Sequence, residues 1–365
     1  MKRLLIFLLA VLALGGCLRV MRHAAFGVEH RTAVATQGQV PLEVQSEMEN
    51  LIKHGVPGVT VITMKDGKDL LRLDVGNNGP DTQLPVASAS KWMTAALVMT
   101  VVDDGKLKLD TPISTVLPEF QGAAGQVTLR ELLAQTSGEG SLRSLVDIRQ
   151  DPRMTLAQSA AEVAKRPLED VPGTVFKYGG PGFQVAGAMV EKVTGKRWAD
   201  LFAERIAVPL GMTHTYWEHL PSRGVSPADT LNPLLQGRVV TTANDYMRFL
   251  TMLANGGSYE GHRVLSKRAV DEMETAQTLG KPMAFLPRGA RSLKPIQYAL
   301  GNWCETWQSD GTCGLVSSPG AYGTYPWIDR KTGIYGIFFL KDRLPRVIGD
   351  IKAAKSSIIA AAREP

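Results

Sequence analysis

Residues 85–94 read PVASASKWMT, and the reading of the whole chain turns on this stretch. Ser88 and Lys91 stand in an S-x-x-K spacing, followed at once by an apolar run that predicts a helix through residue 102. Positions three apart share one face of a helix, so a hydroxyl and an amine would lie side by side. Such a pair can activate a serine without a histidine. The tetrad alone is weak, because it arises about once by chance in a chain of this length. Its position adds weight, since the N–H groups and positive dipole end of a helix start can help hold an oxyanion. Burial would also push the lysine toward its neutral form. The competing reading is a helix-capping serine beside a solvent-facing lysine.

Outward from that stretch, 365 residues suffice for one large domain or two joined ones. The formal charge of +6 comes without a Lys/Arg-rich run, so it reads as a solvated surface and not a nucleic-acid footprint. Lys2 and Arg3 precede an apolar run over residues 4–14, the pattern of a signal peptide over residues 1–16. Leu14-Gly15-Gly16-Cys17 resembles a bacterial lipobox. That resemblance implies lipidation at Cys17, a tether over residues 17–41 and an exported, periplasm-facing lipoprotein; Leu18 leans this toward the outer membrane. An uncleaved anchor or an ordinary signal is the alternative. The remaining cysteines, Cys304 and Cys313, could close a small disulfide loop in an oxidising compartment or stay as two thiols. A Cys-rich zinc site has too few ligands, and no metal or other cofactor is expected.

The domain is expected from residue 42. Val44, Met48, Leu51 and Ile52 recur at helical spacing, and residues 59–64 and 69–75 read as strands joined by an Asp66-Gly67 turn. Residues 92–292 read as mostly helical. Strands return at residues 298–305, 322–328 and 334–340, and a helix closes the chain, with residues 346–365 set to pack on the sheet. The pattern predicts an α+β fold whose antiparallel sheet comes from both chain ends, flanked by helices and carrying a helical insertion.

Several further stretches accompany the tetrad in order: Val56-Pro57-Gly58, residues 104–113 (DGKLKLDTPI), residues 128–133 (TLRELL), Gln135-Thr136-Ser137-Gly138, Pro172-Gly173 with Phe176-Lys177-Tyr178, and Thr241-Thr242-Ala243-Asn244-Asp245. Together they resemble the serine β-lactamase and penicillin-binding-protein superfamily, in its class C β-lactamase, D-alanyl-D-alanine carboxypeptidase and family VIII esterase branch. The resemblance covers most of residues 42–340. It implies a β-lactamase/transpeptidase-like fold and an acyl-enzyme on Ser88, with Lys91 holding or accepting the proton and Tyr178 as base or relay. The oxyanion hole would use the Ser88 and Ala321 N–H groups.

Two departures stand out. The second motif ends in Gly180, which has no side chain to orient a substrate amide, and the third aligns to Ser318-Pro319-Gly320, where Ser318 carries no positive charge to meet a carboxylate. Gly180, Ser318 and Gly320 are the substrate-binding candidates by position. A literal K-T-G at Lys331-Thr332-Gly333 sits where a hairpin turn is expected and reads as a decoy. The six histidines, His214 and His219 among them, are scattered outside these motifs. No G-x-S-x-G elbow, H-E-x-x-H or P-loop occurs. The departures favour a small ester or amide substrate over a β-lactam. A peptidase acting on D-amino-acid peptides and a non-catalytic binder of cell-wall peptides or a partner are the alternatives. Residues 283–295 read as a covering loop whose position the sequence does not give.

Overall fold

The computed structural model describes residues 34–37, 40–140, 151–219 and 224–362. The stretch expected to be a signal peptide, Cys17 and the first part of the expected tether lie outside these residues. The main sheet has eight antiparallel strands drawn from both parts of the chain: β1 (Val34–Gln37), β2 (Gly58–Lys65), β3 (Lys68–Gly76), β4 (Gln297–Tyr298), β5 (Trp303–Trp307), β6 (Cys313–Ser317), β7 (Tyr325–Asp329) and β8 (Ile334–Leu340). Their order is β1-β3-β2-β8-β7-β6-β5-β4. The seam between the chain's two ends is the β2–β8 pair, in register from Lys65 opposite Ile334 to Val59 opposite Leu340. Asp66 and Gly67 turn β2 into β3 with φ of 51° and 75°, the two left-handed positions of a tight hairpin.

Both faces of this sheet are covered, which explains why β8 reads as an unbroken apolar run, IYGIFFL. Ile334, Phe338 and Leu340 pack on one side with Val44, Met48 and Leu51 of α1 (Leu42–Lys53) and with the closing helix. Tyr335, Ile337 and Phe339 face the other core, built on α2 (Ser90–Asp103), α3 (Gly182–Thr194) and α4 (Ala243–Ala254). α2 has no polar face, and every residue from Ser90 to Val101 is buried, so it runs through the middle of that layer. Beyond residue 282 come a short helix, α5 (Arg288–Arg291), and the closing helix, α6 (Leu344–Ala361).

Four expectations need correction. The segment read as tether contains β1, which pairs with β3, so the domain begins before residue 42; four residues are too few to show a period. The strand expected over residues 298–305 is two strands, β4 and β5, because Gly301 (φ 79°) reverses the chain and Ala299 N–H donates to the Asn302 carbonyl at 2.9 Å. β6 was absent from the expected strands. The closing helix starts at Leu344, where Pro345 occupies the first turn without needing an N–H partner.

Candidate active site

Ser88 sits in a 3₁₀ turn, Ala87–Ala89, that leads directly into α2. Ala87 has a φ of 46°, a left-handed conformation that an L-residue adopts only when its surroundings impose it. The surroundings are visible. Val86 N–H donates to the Val239 carbonyl at 3.0 Å, Ser90 Oγ donates to the Ala87 carbonyl at 2.6 Å and accepts from Val239 N–H at 2.9 Å, and Tyr246 donates to the Ala89 carbonyl at 2.8 Å. The strand Val239–Thr241 and helix α4 therefore clamp the serine turn through its backbone. Gly320 closes the clamp: a Cβ there would overlap the Val86 carbonyl oxygen, so only glycine lets the two backbones approach this closely.

Lys91, 2% exposed, places Nζ 3.2 Å from Ser88 Oγ and donates to the Gln236 carbonyl at 2.6 Å. The same ammonium position lies 4.7 Å from the ring centroid of Tyr178. Tyr178 follows the short strand Phe176–Lys177 and lines the same cavity as Ser88. Its ring stacks on Trp303 at 5.2 Å and 16° and meets Tyr298 edge-on at 6.0 Å. Burial pushes the Tyr178 phenol well up from its usual value, and the nearby Ser88 hydroxyl only partly opposes this. Desolvation dominates, and the side chain is a neutral phenol near neutrality.

Gln135, to which the sequence assigned no role, holds the second motif in place. With φ at 57°, its carbonyl accepts from Lys177 N–H at 3.1 Å and its side-chain oxygen accepts from Gly179 N–H. Ser90, Tyr246 and Gln236 are likewise positioning groups that the motifs do not announce. Ser90 lies inside the opening stretch without being marked by its spacing, and Tyr246 and Gln236 lie only near matched stretches.

A cavity of about 150 Å³ opens over Ser88 and Tyr178. Trp303, Pro319 and Ala321 form one side of it, and Pro287, Arg288, Gly289 and Ala290 of the covering segment form another with Leu344 and Pro345. Ala321 thus flanks the serine. Ser318 does not reach the cavity: it is 3% exposed, with Oγ 3.5 Å from the carbonyl oxygens of Ser88 and Gly301. Gly180 is also off the cavity wall, and a side chain at that position would point at the Gly140 carbonyl, 3.1 Å from its Cβ. Of the three substrate-binding candidates, then, none lines the space over Ser88, and Gly320 acts through its close approach to Val86. A larger depression, about 920 Å³, shares no residue with this site. It borders the disulfide that joins Cys304 of β5 to Cys313 of β6, with Cα atoms 5.4 Å apart.

The literal K-T-G is a turn. Asp329 accepts from Lys331 N–H at 3.0 Å and from the Thr332 hydroxyl at 2.7 Å, and Gly333 takes the left-handed position at φ 72°. Neither His214 nor His219 lines the Ser88 cavity. Among the described residues no group of three or more His, Cys, Asp or Glu side chains could hold a metal ion.

A serine with a lysine at hydrogen-bond reach and a tyrosine on the same cavity, on a helix start flanked by an antiparallel sheet, defines a class of serine acyl-transfer site. The model of the Beta-lactamase family matches residues 34–355, and the chain belongs to that family. It is 33% identical over 247 residues to "Penicillin-binding protein 4" of Amycolatopsis lactamdurans, a match covering 59% of this chain and 64% of that protein, just under two thirds of its length. Among solved structures, a putative β-lactamase from Bacteroides dorei DSM 17855 superposes with a TM-score of 0.75 at 32% identity, covering 86% of this chain and 98% of that one. A family VIII carboxylesterase shares the fold at a TM-score of 0.68 and 19% identity, over 88% of this chain and 99% of that one.

Proposed function

We propose that this member of the family is an exported hydrolase that opens a small ester or amide through an acyl-enzyme on Ser88. The observation that carries the reading is Lys91 Nζ at 3.2 Å from Ser88 Oγ and 4.7 Å from the centroid of the Tyr178 ring, with Ser88 and Tyr178 lining one cavity. In its neutral form the Lys91 amine takes the serine proton as Oγ bonds to the substrate carbonyl carbon. The carbonyl oxygen becomes an oxyanion beside the Ser88 turn and Ala321. Tyr178, held as a neutral phenol, donates its proton to the leaving oxygen or nitrogen and recovers one from Lys91 as the carbonyl-to-leaving-group bond breaks. Water then attacks the ester on Ser88, its proton passing through the same pair, and the acid and the free serine are regenerated.

The small, mostly apolar cavity and the buried, uncharged Ser318 support an esterase-like preference. The basic, apolar and small-residue pattern before Cys17 supports export and lipid anchoring. A second reading, a D-amino-acid peptidase or penicillin-binding role, is favoured by the relative named for penicillin binding. Intact-mass acylation against p-nitrophenyl esters, nitrocefin and D-alanyl peptides distinguishes them, with Ser88→Ala as control. An ester-derived adduct that turns over and is absent from Ser88→Ala is expected. A stable penicillin adduct without ester turnover would favour the second reading, and a folded protein with no adduct at all would remove both.

A further inference from the structure

Resting on that hydrolase reading, we infer that Gln184 is a positioning residue for the reaction, because it holds in place the backbone carbonyl on which Lys91 is aimed. Gln184 stands in the first turn of α3, a few residues after Tyr178, and is 1% exposed. Its side chain is bonded to the loop over residues 232–236. Nε2 donates to Asn232 Oδ1 at 2.8 Å and to the Pro233 carbonyl at 3.0 Å, and Oε1 accepts from Leu235 N–H at 2.8 Å. The two backbone partners fix which way the amide faces, since a carbonyl only accepts and an N–H only donates. One residue further along the loop, the Gln236 carbonyl accepts from Lys91 Nζ at 2.6 Å.

The loop is pinned around that point by two helices. The Leu235 carbonyl accepts from Thr94 Oγ of α2 at 2.5 Å. The buried Leu235 side chain lies on Gly187 of α3, where a Cβ would come 2.2 Å from Leu235 Cδ1. A loop buried this deeply needs partners for its N–H and carbonyl groups, and the Gln184 amide supplies two of them. Facing Lys91 Nζ are Ser88 Oγ at 3.2 Å, the Tyr178 and Phe183 rings with centroids at 4.7 Å and 5.7 Å, and the Gln236 carbonyl. Of these only Ser88 and Tyr178 carry a titratable proton, and burial keeps Tyr178 a neutral phenol. Lys91 is therefore the group that sets the pH at which Ser88 gives up its proton. A carbonyl acceptor favours the ammonium over the amine and also fixes where Nζ points. Through one backbone atom, Gln184 acts on both the charge and the aim of Lys91.

Stopped-flow acylation of Ser88 by p-nitrophenyl butyrate, followed across acid, neutral and alkaline pH, reads both effects. Gln184→Met fills the same space without the amide. Its plateau rate should fall about tenfold and its half-maximal pH should drop by about one unit, with the half-saturating ester concentration near that of wild type. The midpoint moves down because a loosened carbonyl no longer favours the ammonium. Thr94→Val frees the same loop from α2 and should move the midpoint in the same direction. Gln184→Glu keeps an acceptor for Leu235 N–H and should lie between Gln184→Met and wild type. Val44→Ala, in α1 of the other core, should lower the melting temperature and leave the midpoint unchanged. If folded Gln184→Met keeps the wild-type midpoint, or if Val44→Ala moves it as far, the inference is wrong and the hydrolase reading stands. Should Gln184→Met not fold, Thr94→Val answers the same question. If no ester acylates folded wild type at Ser88, the hydrolase reading falls and the inference falls with it.

Discussion

Glu139 lies beside Gly180 of the second motif, 8% exposed, with Ser137 Oγ donating to its carboxylate at 3.1 Å. Burial pushes its carboxyl from 4.5 up to about 7, the Ser137 hydrogen bond notwithstanding. The folded state then binds this proton more tightly than the unfolded chain does. Stability is therefore undiminished below about pH 4.5, falls as pH rises toward 7, and above 7 is lower by about 3 kcal/mol. Glu139→Gln should raise the urea-unfolding free energy at pH 8 by up to that amount and change it little at pH 4. An equal effect at both pH values would contradict the account. At this scale the sequence is legible where chemistry demands a residue type: Ser88, Lys91 and Tyr178 stand out and are brought together. It is opaque for residues that act by backbone contact. Gln135, Ser90 and Tyr246 show nothing in their spacing, because carbonyl and N–H partners have no residue identity to read.

Gly320 belongs to the scale of elements, because it sets how closely the segment after β6 approaches the serine turn. Gly320→Ala must move one of the two backbones, which should cost about 1–3 kcal/mol in stability. Acylation should also slow, since Val86 leads directly into Ala87 and Ser88. Gly349→Ala, in an exposed part of α6 with no atom near its Cβ position, serves as control and should be neutral or mildly stabilising. Thermal unfolding together with acylation rate checks both, and a Gly320→Ala protein with unchanged values in each would rule out the clamp. Elements with a clear period or turn signal, such as β8 and the β2–β3 hairpin, are readable from sequence. The Gly301 reversal is hidden inside an apolar, aromatic run, because its cause is remote: a Cβ at Gly301 would come 2.6 Å from the Lys91 carbonyl oxygen of α2.

For the whole molecule, the tie between the closing helix and the sheet includes a buried ion pair, Lys355 Nζ to Glu305 at 2.6 Å, with side chains 6% and 10% exposed. Burial alone would raise the Glu305 carboxyl, but Lys355 outweighs it and holds it below its usual value. Lys355→Met leaves a buried carboxylate unmatched and should cost about 3–5 kcal/mol, much of it recovered in Lys355→Met/Glu305→Leu. Denaturant unfolding of the single and double variants tests this, and a double variant no better than the single would refute it. No pattern in either segment alone announces that pairing, since its partners lie fifty residues apart in separate elements. The seam between β2 and β8 has a consequence in time as well as space. A ribosome delivers the serine turn long before the strand that completes its sheet, and Leu344 of the cavity wall comes later still. Until then β2 has an open edge, so early segments must wait, exposed to mispairing, for the last ones. The wall of the cavity over Ser88 is thereby incomplete until Leu344 has been made.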